Sequence, residues 1–189
     1  MLASVVPSVL AAVEQVPFTA PLLDWHALAP EVILTATLVV VLLVDLFTDE
    51  HSKWLASSLT GIGMLAAAVP LLTLAVDGSG RSLFEGAYVV DDFALVMKGV
   101  FLLGGYVTVL LSTNYIAEGD YWEGEYYVLL ASSVLGMTVM ASARDLISIF
   151  VALELLSIPA YLLAGWRKRE LTGNEAGLKY YLMGSSPRR

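Results

Sequence analysis

Glu154 stands near the middle of an apolar run, Asp145 to Gly165, that is long enough to cross a bilayer as a helix. A charged carboxylate at that depth costs on the order of 3 kcal/mol even on lenient insertion scales, so acids placed there usually face a protein interior and serve proton or ion paths. Helical spacing puts Ser157 three residues on and Tyr161 seven on. A carboxylate, a hydroxyl and a phenol then share one face that can solvate a proton. Pro159, between them, cannot donate to the carbonyl of Leu155 and is expected to kink the helix beside the acid. A weakened backbone in mid-membrane is tolerated where it borders protein or water. The competing reading is a Glu that only hydrogen-bonds a neighbouring helix. Asn or Gln would do that without a titratable group, which favours a proton relay.

Three other charged groups bear on that reading. Lys98 follows Asp91-Asp92 by about a turn and a half, so it can snorkel outward or pair with those carboxylates; the snorkelling, topological role is the one its position favours. Asp45 closes the first span and is expected at the inner interface. Lys179 can face a channel or the interface, and both readings stay open.

The elements that hold these groups follow from composition. The 189 residues are 58% hydrophobic and 15% charged, with a mean hydropathy of +0.75, which is too apolar for an ordinary soluble domain. An all-α polytopic transmembrane bundle is expected. A net charge of −8 argues against nucleic acid as a partner and leaves the lipid bilayer as the natural surroundings. Without Cys the chain cannot itself ligate an iron-sulfur cluster, and His26 and His51 each stand alone, so no metal site is expected. No phosphate loop or nucleophile elbow occurs. The acidic stretch Glu118 to Glu125 lacks EF-hand spacing and reads as a solvated connection.

Apolar length places five spans at about 30–48, 54–76, 92–113, 125–143 and 145–166, the last two forming a tight helical hairpin. Residues 1–29 form an N-terminal segment with no basic start of a secretory signal, 30–166 the five-span bundle, and 167–189 a cytoplasmic loop and a short sixth helix. Thr172-Gly-Asn-Glu175 reads as the capping box of that helix, and Glu175 precedes Lys179 in the favourable order for an ion pair. Ending in Ser185-Ser-Pro-Arg-Arg189, the sixth helix reads as truncated. The Arg167-Lys168-Arg169 cluster outweighs Arg81 and Arg144 and predicts the N-terminus outside. Trp25, Trp54, Tyr121, Trp122 and Trp166 fall at span ends. Small-residue stripes, Gly104/Thr108/Ser112, Ser132/Gly136 and Ser57/Gly61, predict close helix packing.

Several segments, in order, resemble the antiporter-like subunit N of the proton-pumping NADH-quinone oxidoreductases, respiratory complex I. They are Pro30-Glu-Val-Ile, Asp92-Phe-Ala-Leu-Val-Met-Lys98, Gly124-Glu-Tyr-Tyr, Leu135 to Ile147, Leu153-Glu-Leu-Leu-Ser-Ile-Pro-Ala-Tyr-Leu-Leu-Ala-Gly165 and Glu175-Ala-Gly-Leu-Lys-Tyr-Tyr-Leu-Met-Gly184, across residues 29 to 184. The resemblance implies the first part of an inverted-repeat fold in a bacterial plasma membrane, partnered by the other membrane subunits of the complex. It implies that Glu154 relays protons by coupling to a lysine on a later helix, and it makes Lys179 and Lys98 candidates. It also implies no cofactor in this chain, since NAD, FMN, iron-sulfur clusters and quinone belong to other subunits. The family's later helices and second repeat have no counterpart in these residues. Two rival expectations follow: a truncated or frameshifted fragment with a structural role only, and a subunit of a stand-alone cation/proton antiporter.

Overall fold

The computed structural model of the protein describes residues 23–47, 54–117, 123–167 and 170–185. Five helices long and apolar enough to cross a membrane form from the expected runs: α1 (Ala29–Phe47), α2 (Trp54–Asp77), α3 (Asp92–Ala117), α4 (Glu123–Ser142) and α5 (Leu146–Ala164). A sixth helix, α6 (Leu171–Ser185), follows. The chain is a multi-pass, all-α membrane bundle. Hydrocarbon offers no partner to a free polar group, so hydroxyls within the spans bond back to their own helix. Thr35 donates to the carbonyl of Glu31 at 2.7 Å, Thr60 to that of Ala56 at 2.8 Å and Thr113 to that of Val109 at 2.9 Å.

Helices α1 to α4 pack around Leu34, Val41, Met64, Leu102, Tyr127 and Val134. Helix α5 lies along α4 and buries little of itself beyond Ala152 and Pro159. The α4–α5 turn is as tight as the sequence implies. Asp145 caps α5 by accepting the Ser148 N–H at 2.9 Å. Gly136 lets the two backbones meet, since a Cβ there would lie 2.6 Å from the Leu156 nitrogen. Ser133 reaches across to the Leu156 carbonyl at 3.3 Å.

The stretch read as a polar break between the second and third spans is structured. Strands β1 (Arg81–Leu83) and β2 (Tyr88–Val90) pair antiparallel, with Leu83 opposite Tyr88, around a 3-10 turn at Phe84–Gly86. Gly86 has φ +95°, a conformation that favours glycine. This hairpin sits where α1 and α3 begin and α4 turns into α5. The Arg144 N–H donates to the Ala87 carbonyl at 2.8 Å, and Tyr88 bridges Ala143. Around the rim, Arg81 pairs with Asp24 at 2.5 Å and Asp77 at 3.2 Å, and Arg144 with Asp91 at 2.5 Å. The Arg81 guanidinium holds the Asp24 carboxyl below its usual range.

Three local expectations are corrected. Gly104 and Thr108 are exposed, and a Cβ at Gly104 would meet nothing within 4 Å, whereas one at Gly105 would lie 2.8 Å from Val134. The packing face of α3 is therefore one residue, about 100°, away from the expected stripe. Helix α6 starts at Leu171, and the Asn174 N–H donates to the Glu170 carbonyl, which puts Thr172 inside the first turn rather than at the cap. Trp25 and Trp54 are exposed at helix ends, but Trp166 is buried and packs edge-on to Tyr126. Tyr121, Trp122, His51, Lys53, Lys168, Arg169, most of the acidic stretch and residues 1–22 and 186–189 lie outside the described residues.

Replacing Gly136 by Ala should cost about 1–3 kcal/mol through overpacking against the α5 backbone. Gly104→Ala should be neutral or slightly stabilising, by up to about 1 kcal/mol, as for an open helical glycine. Unfolding in mixed micelles measures both, and the opposite ranking would contradict this packing.

Candidate functional site

Two acids of the spans, Glu31 and Glu154, have very different surroundings. Glu31 belongs to the first turn of α1, where the unpaired N–H groups favour a carboxylate. Lys98 lies six residues into α3, about 9 Å along the axis at ~1.5 Å per residue. The two side chains meet across the α1–α3 contact, Nζ to Oε1 at 2.9 Å, with Lys98 at 0% and Glu31 at 9% side-chain exposure. Tyr88 closes the site from the hairpin. The Lys98 ammonium donates to the Tyr88 hydroxyl at 2.8 Å and stands 5.0 Å from the centre of its ring. Ser142, fully buried at the end of α4, lies beside the same phenol. Burial, and then the nearby Glu31 carboxylate, push the Tyr88 phenol far up, so it stays a neutral hydroxyl. Both Glu31 oxygens are buried, with the Lys98 ammonium and the Tyr88 hydroxyl as their neighbours.

Lys98 therefore neither snorkels nor pairs with Asp91-Asp92. Asp91 is occupied by Arg144 and by the Ala94 N–H it caps at 2.8 Å, while Glu31 offers a contact that the α1–α3 packing brings within reach.

Glu154 is half-buried on α5 and makes no hydrogen bond or ion pair with the described residues. Ser157 and Tyr161 are half-buried on the same helix, and Pro159 is buried. Tyr161 packs edge-on against Tyr180 and Tyr181 of α6, with ring centres 4.9 and 5.7 Å away. It lines an apolar cavity of about 420 Å³ together with Ile158, Leu162, Gly165, Asn174 and Gly177. The α5–α6 crossing is close, since a Cβ at Gly177 would lie 3.0 Å from the Gly165 Cα. Lys179 is exposed and pairs with Glu175 at 2.6 Å, the i,i+4 pair expected. Asp45 is exposed at the end of α1, against Gly124. Neither Lys98 nor Lys179 contacts Glu154. Among the described residues no three His, Asp or Glu side chains gather as a metal site would need.

The family described as NADH:quinone oxidoreductase/Mrp antiporter, TM, matches residues 143–186, which hold Glu154 and Lys179. Among curated proteins, the chain is 39% identical over 164 residues to NAD(P)H-quinone oxidoreductase subunit 2 of Gloeobacter violaceus, covering 87% of this chain and 32% of that one. It is 37% identical to NADH-quinone oxidoreductase subunit N of Trichlorobacter lovleyi, covering 86% and 33%. This chain is a homologue of subunit N/subunit 2. It spans about a third of the length of these relatives. A chain of respiratory complex I from Thermus thermophilus with bound aureothin superposes with a TM-score of 0.66 at 32% identity, over 82% of this chain and 33% of that one. The antiporter-like helical fold expected from the resemblance is the fold found.

Sequence reasoning overlooked Glu31, Tyr88 and Ser142. Only Glu31 carries a signal, and it is an ambiguous one: Pro30-Glu31 opens a helix, where an acid is ordinary. Tyr88 is brought to the site by the hairpin, whose strands of three residues each are too short to read by alternation.

Removing one partner of the buried pair, as in Lys98→Ala, should destabilise the bundle by on the order of 3 kcal/mol, because it leaves an uncompensated charge in a low dielectric. The apolar double variant Glu31→Leu/Lys98→Met should recover most of that loss. A double-mutant cycle measured by unfolding in micelles checks this, and additive losses would show that the two groups are not coupled.

Proposed function

We propose that this chain acts as a proton-translocating, antiporter-like membrane subunit of an NADH-quinone oxidoreductase, seated in a bacterial plasma membrane with its N-terminus outside and partnered by the other membrane subunits. Electron transfer from NADH to quinone takes place elsewhere in that complex. This chain contributes proton movement, with Glu154 as relay. The observation that carries the reading is the position of Glu154: a carboxylate in the middle of a membrane-length helix, within the segment that matches the antiporter family, and unpaired among the described residues.

An acid held only for helix association would have a donor from a neighbouring helix, because a buried carboxylate without one is costly. A relay needs a carboxylate free to change partner. Ser157 and Tyr161 supply hydroxyls further along the helix. The buried Pro159 leaves the Leu155 carbonyl without its usual donor, next to the acid. Lys98 pairs with Glu31, away from Glu154, and Lys179 pairs with Glu175 at the surface. Of the two, Lys179 is the candidate able to exchange partners, because an exposed pair is worth no more than about 1 kcal/mol. The matching family also covers antiporters, so a stand-alone cation/proton antiporter is the second reading. The named relatives, all oxidoreductase subunits, favour the first.

In the full-length protein, Glu154→Ala should sharply reduce NADH-driven proton pumping, while Glu154→Asp should retain part of it. Proton uptake by membrane vesicles, alongside NADH oxidation and a check of assembly, reads the outcome. Unchanged pumping in a normally assembled Ala variant removes the relay role. Retained cation/proton exchange without NADH would favour the antiporter reading.

A further inference from the structure

The pair at the hairpin end is separate from Glu154, and nothing in the proposed relay uses it. A stabilising ion pair in a membrane interior would be expected to satisfy all its polar atoms, because removing two charges from water costs several kcal/mol per ion. Here both Glu31 oxygens are buried and, among the described residues, have no partner beyond the Lys98 ammonium and the adjacent Tyr88 hydroxyl, which Ser142 also neighbours. The two charges also differ in access. Lys98 is sealed at 0% exposure under Tyr88, whereas Glu31 lines an open, apolar face of α1 together with Leu28, Val32 and Thr35. Whatever reaches Lys98 from that face passes Glu31 first.

We propose that Glu31 and Lys98 form a proton-exchange site at the hairpin end of the bundle, in which the proton moves between Lys98 Nζ and Glu31 Oε1 and enters or leaves through Glu31 along the α1 face. In the first step one N–H bond of the ammonium breaks and an O–H bond forms on the carboxylate, across the 2.9 Å contact. An ion pair becomes a neutral amine and a carboxylic acid with no change in net charge. In the second, the acid gives its proton to water at the α1 face and leaves a carboxylate and an amine, and the site reloads by the reverse path. Tyr88 biases the first step: its hydroxyl accepts a hydrogen bond from the ammonium and its ring lies beside that charge, so both contacts favour the ion-pair form. Other charges nearby are already engaged. Asp91 holds Arg144, and Asp24 and Asp77 hold Arg81. His26 bonds Thr73 at 2.7 Å, 4.0 Å from Asp77, and Asp92 is exposed. The face of α4 toward the site brings the neutral Ser142.

The inference does not depend on Glu154 relaying protons, and its readout is independent of pumping. Infrared spectra of the complete protein in lipid membranes, with carbon-13 glutamate to identify side-chain carboxyls, should show a buried protonated-carboxyl band that shifts in heavy water. That band should be absent from Glu31→Gln and present in Glu154→Gln. Lys98→Arg decides between exchange and a fixed pair, because a guanidinium keeps the ion pair but cannot release its proton. It should abolish the band while the fold persists, and it replaces Glu31→Gln as the assignment if that variant fails to fold. Tyr88→Phe removes the bond that favours the ammonium and should strengthen the band. A carboxylate at Glu31 at every pH that preserves the fold, in the wild type and in Tyr88→Phe alike, would overturn the proposal and leave a structural ion pair.

Discussion

A lysine ammonium and a glutamate carboxylate in contact at 2.9 Å, inside a bundle whose surroundings are hydrocarbon, set the terms for this end of the molecule. Neither charge is affordable alone at that depth, so α1 and α3 must keep the register that joins Glu31 to Lys98. The hairpin follows from the same demand. Tyr88 is needed over Lys98, and the hairpin holds it there through a backbone bond from Arg144 to Ala87 and a bridge to Ala143. Its small apolar core of Leu83, Tyr88 and Val90 packs against Ala27, just before α1. Two helices and the hairpin thereby meet at a single charge contact.

The rest of the bundle is fastened by shape. Between α4 and α5 the backbones meet at Gly136, and between α5 and α6 at Gly177, where a Cβ would crowd the facing backbone. Without a hydrophobic drive between helices in lipid, such close approach and the dispersion it allows are what associates them. The α1–α4 core uses large side chains instead, Tyr127 among them, with Met64 and Val134 filling the space that Gly105 leaves open. The outward faces of these helices are mostly apolar, as membrane spans require.

Apolar length alone made the spans legible, because hydrocarbon thickness imposes about 20 residues on any helix that crosses it. The tight α4–α5 turn was legible for the same reason, since Arg144-Asp145 leaves no room for a loop. What sequence could not carry was rotation about each helix axis. The stripe at Gly104 and Thr108 missed the packing face by one residue, because α3 is apolar nearly all round and offers no polar face to orient it. Lys98 was misjudged for a related reason: its sequence neighbours Asp91-Asp92 are the obvious partners, whereas its real partner, Glu31, is 67 residues away in sequence and hidden in a normal helix start. The hairpin was missed because three-residue strands between glycines carry no periodic signal.

The two intramembrane acids now separate by environment. Glu31 is expensive to move: its charge is balanced by Lys98, its helix start favours the anion, and displacing it would strand an ammonium that has no exposure to water. Glu154 has none of these ties among the described residues, on a helix that buries little of its surface. A carboxylate of that kind needs a polar partner within reach in lipid, so its surroundings depend on what packs against α5. That dependence suits a relay, whose charge has to respond to a neighbour. The sequence places both acids in apolar helices, but it is the neighbour across the helix contact, present for Glu31 and absent among the described residues for Glu154, that separates them.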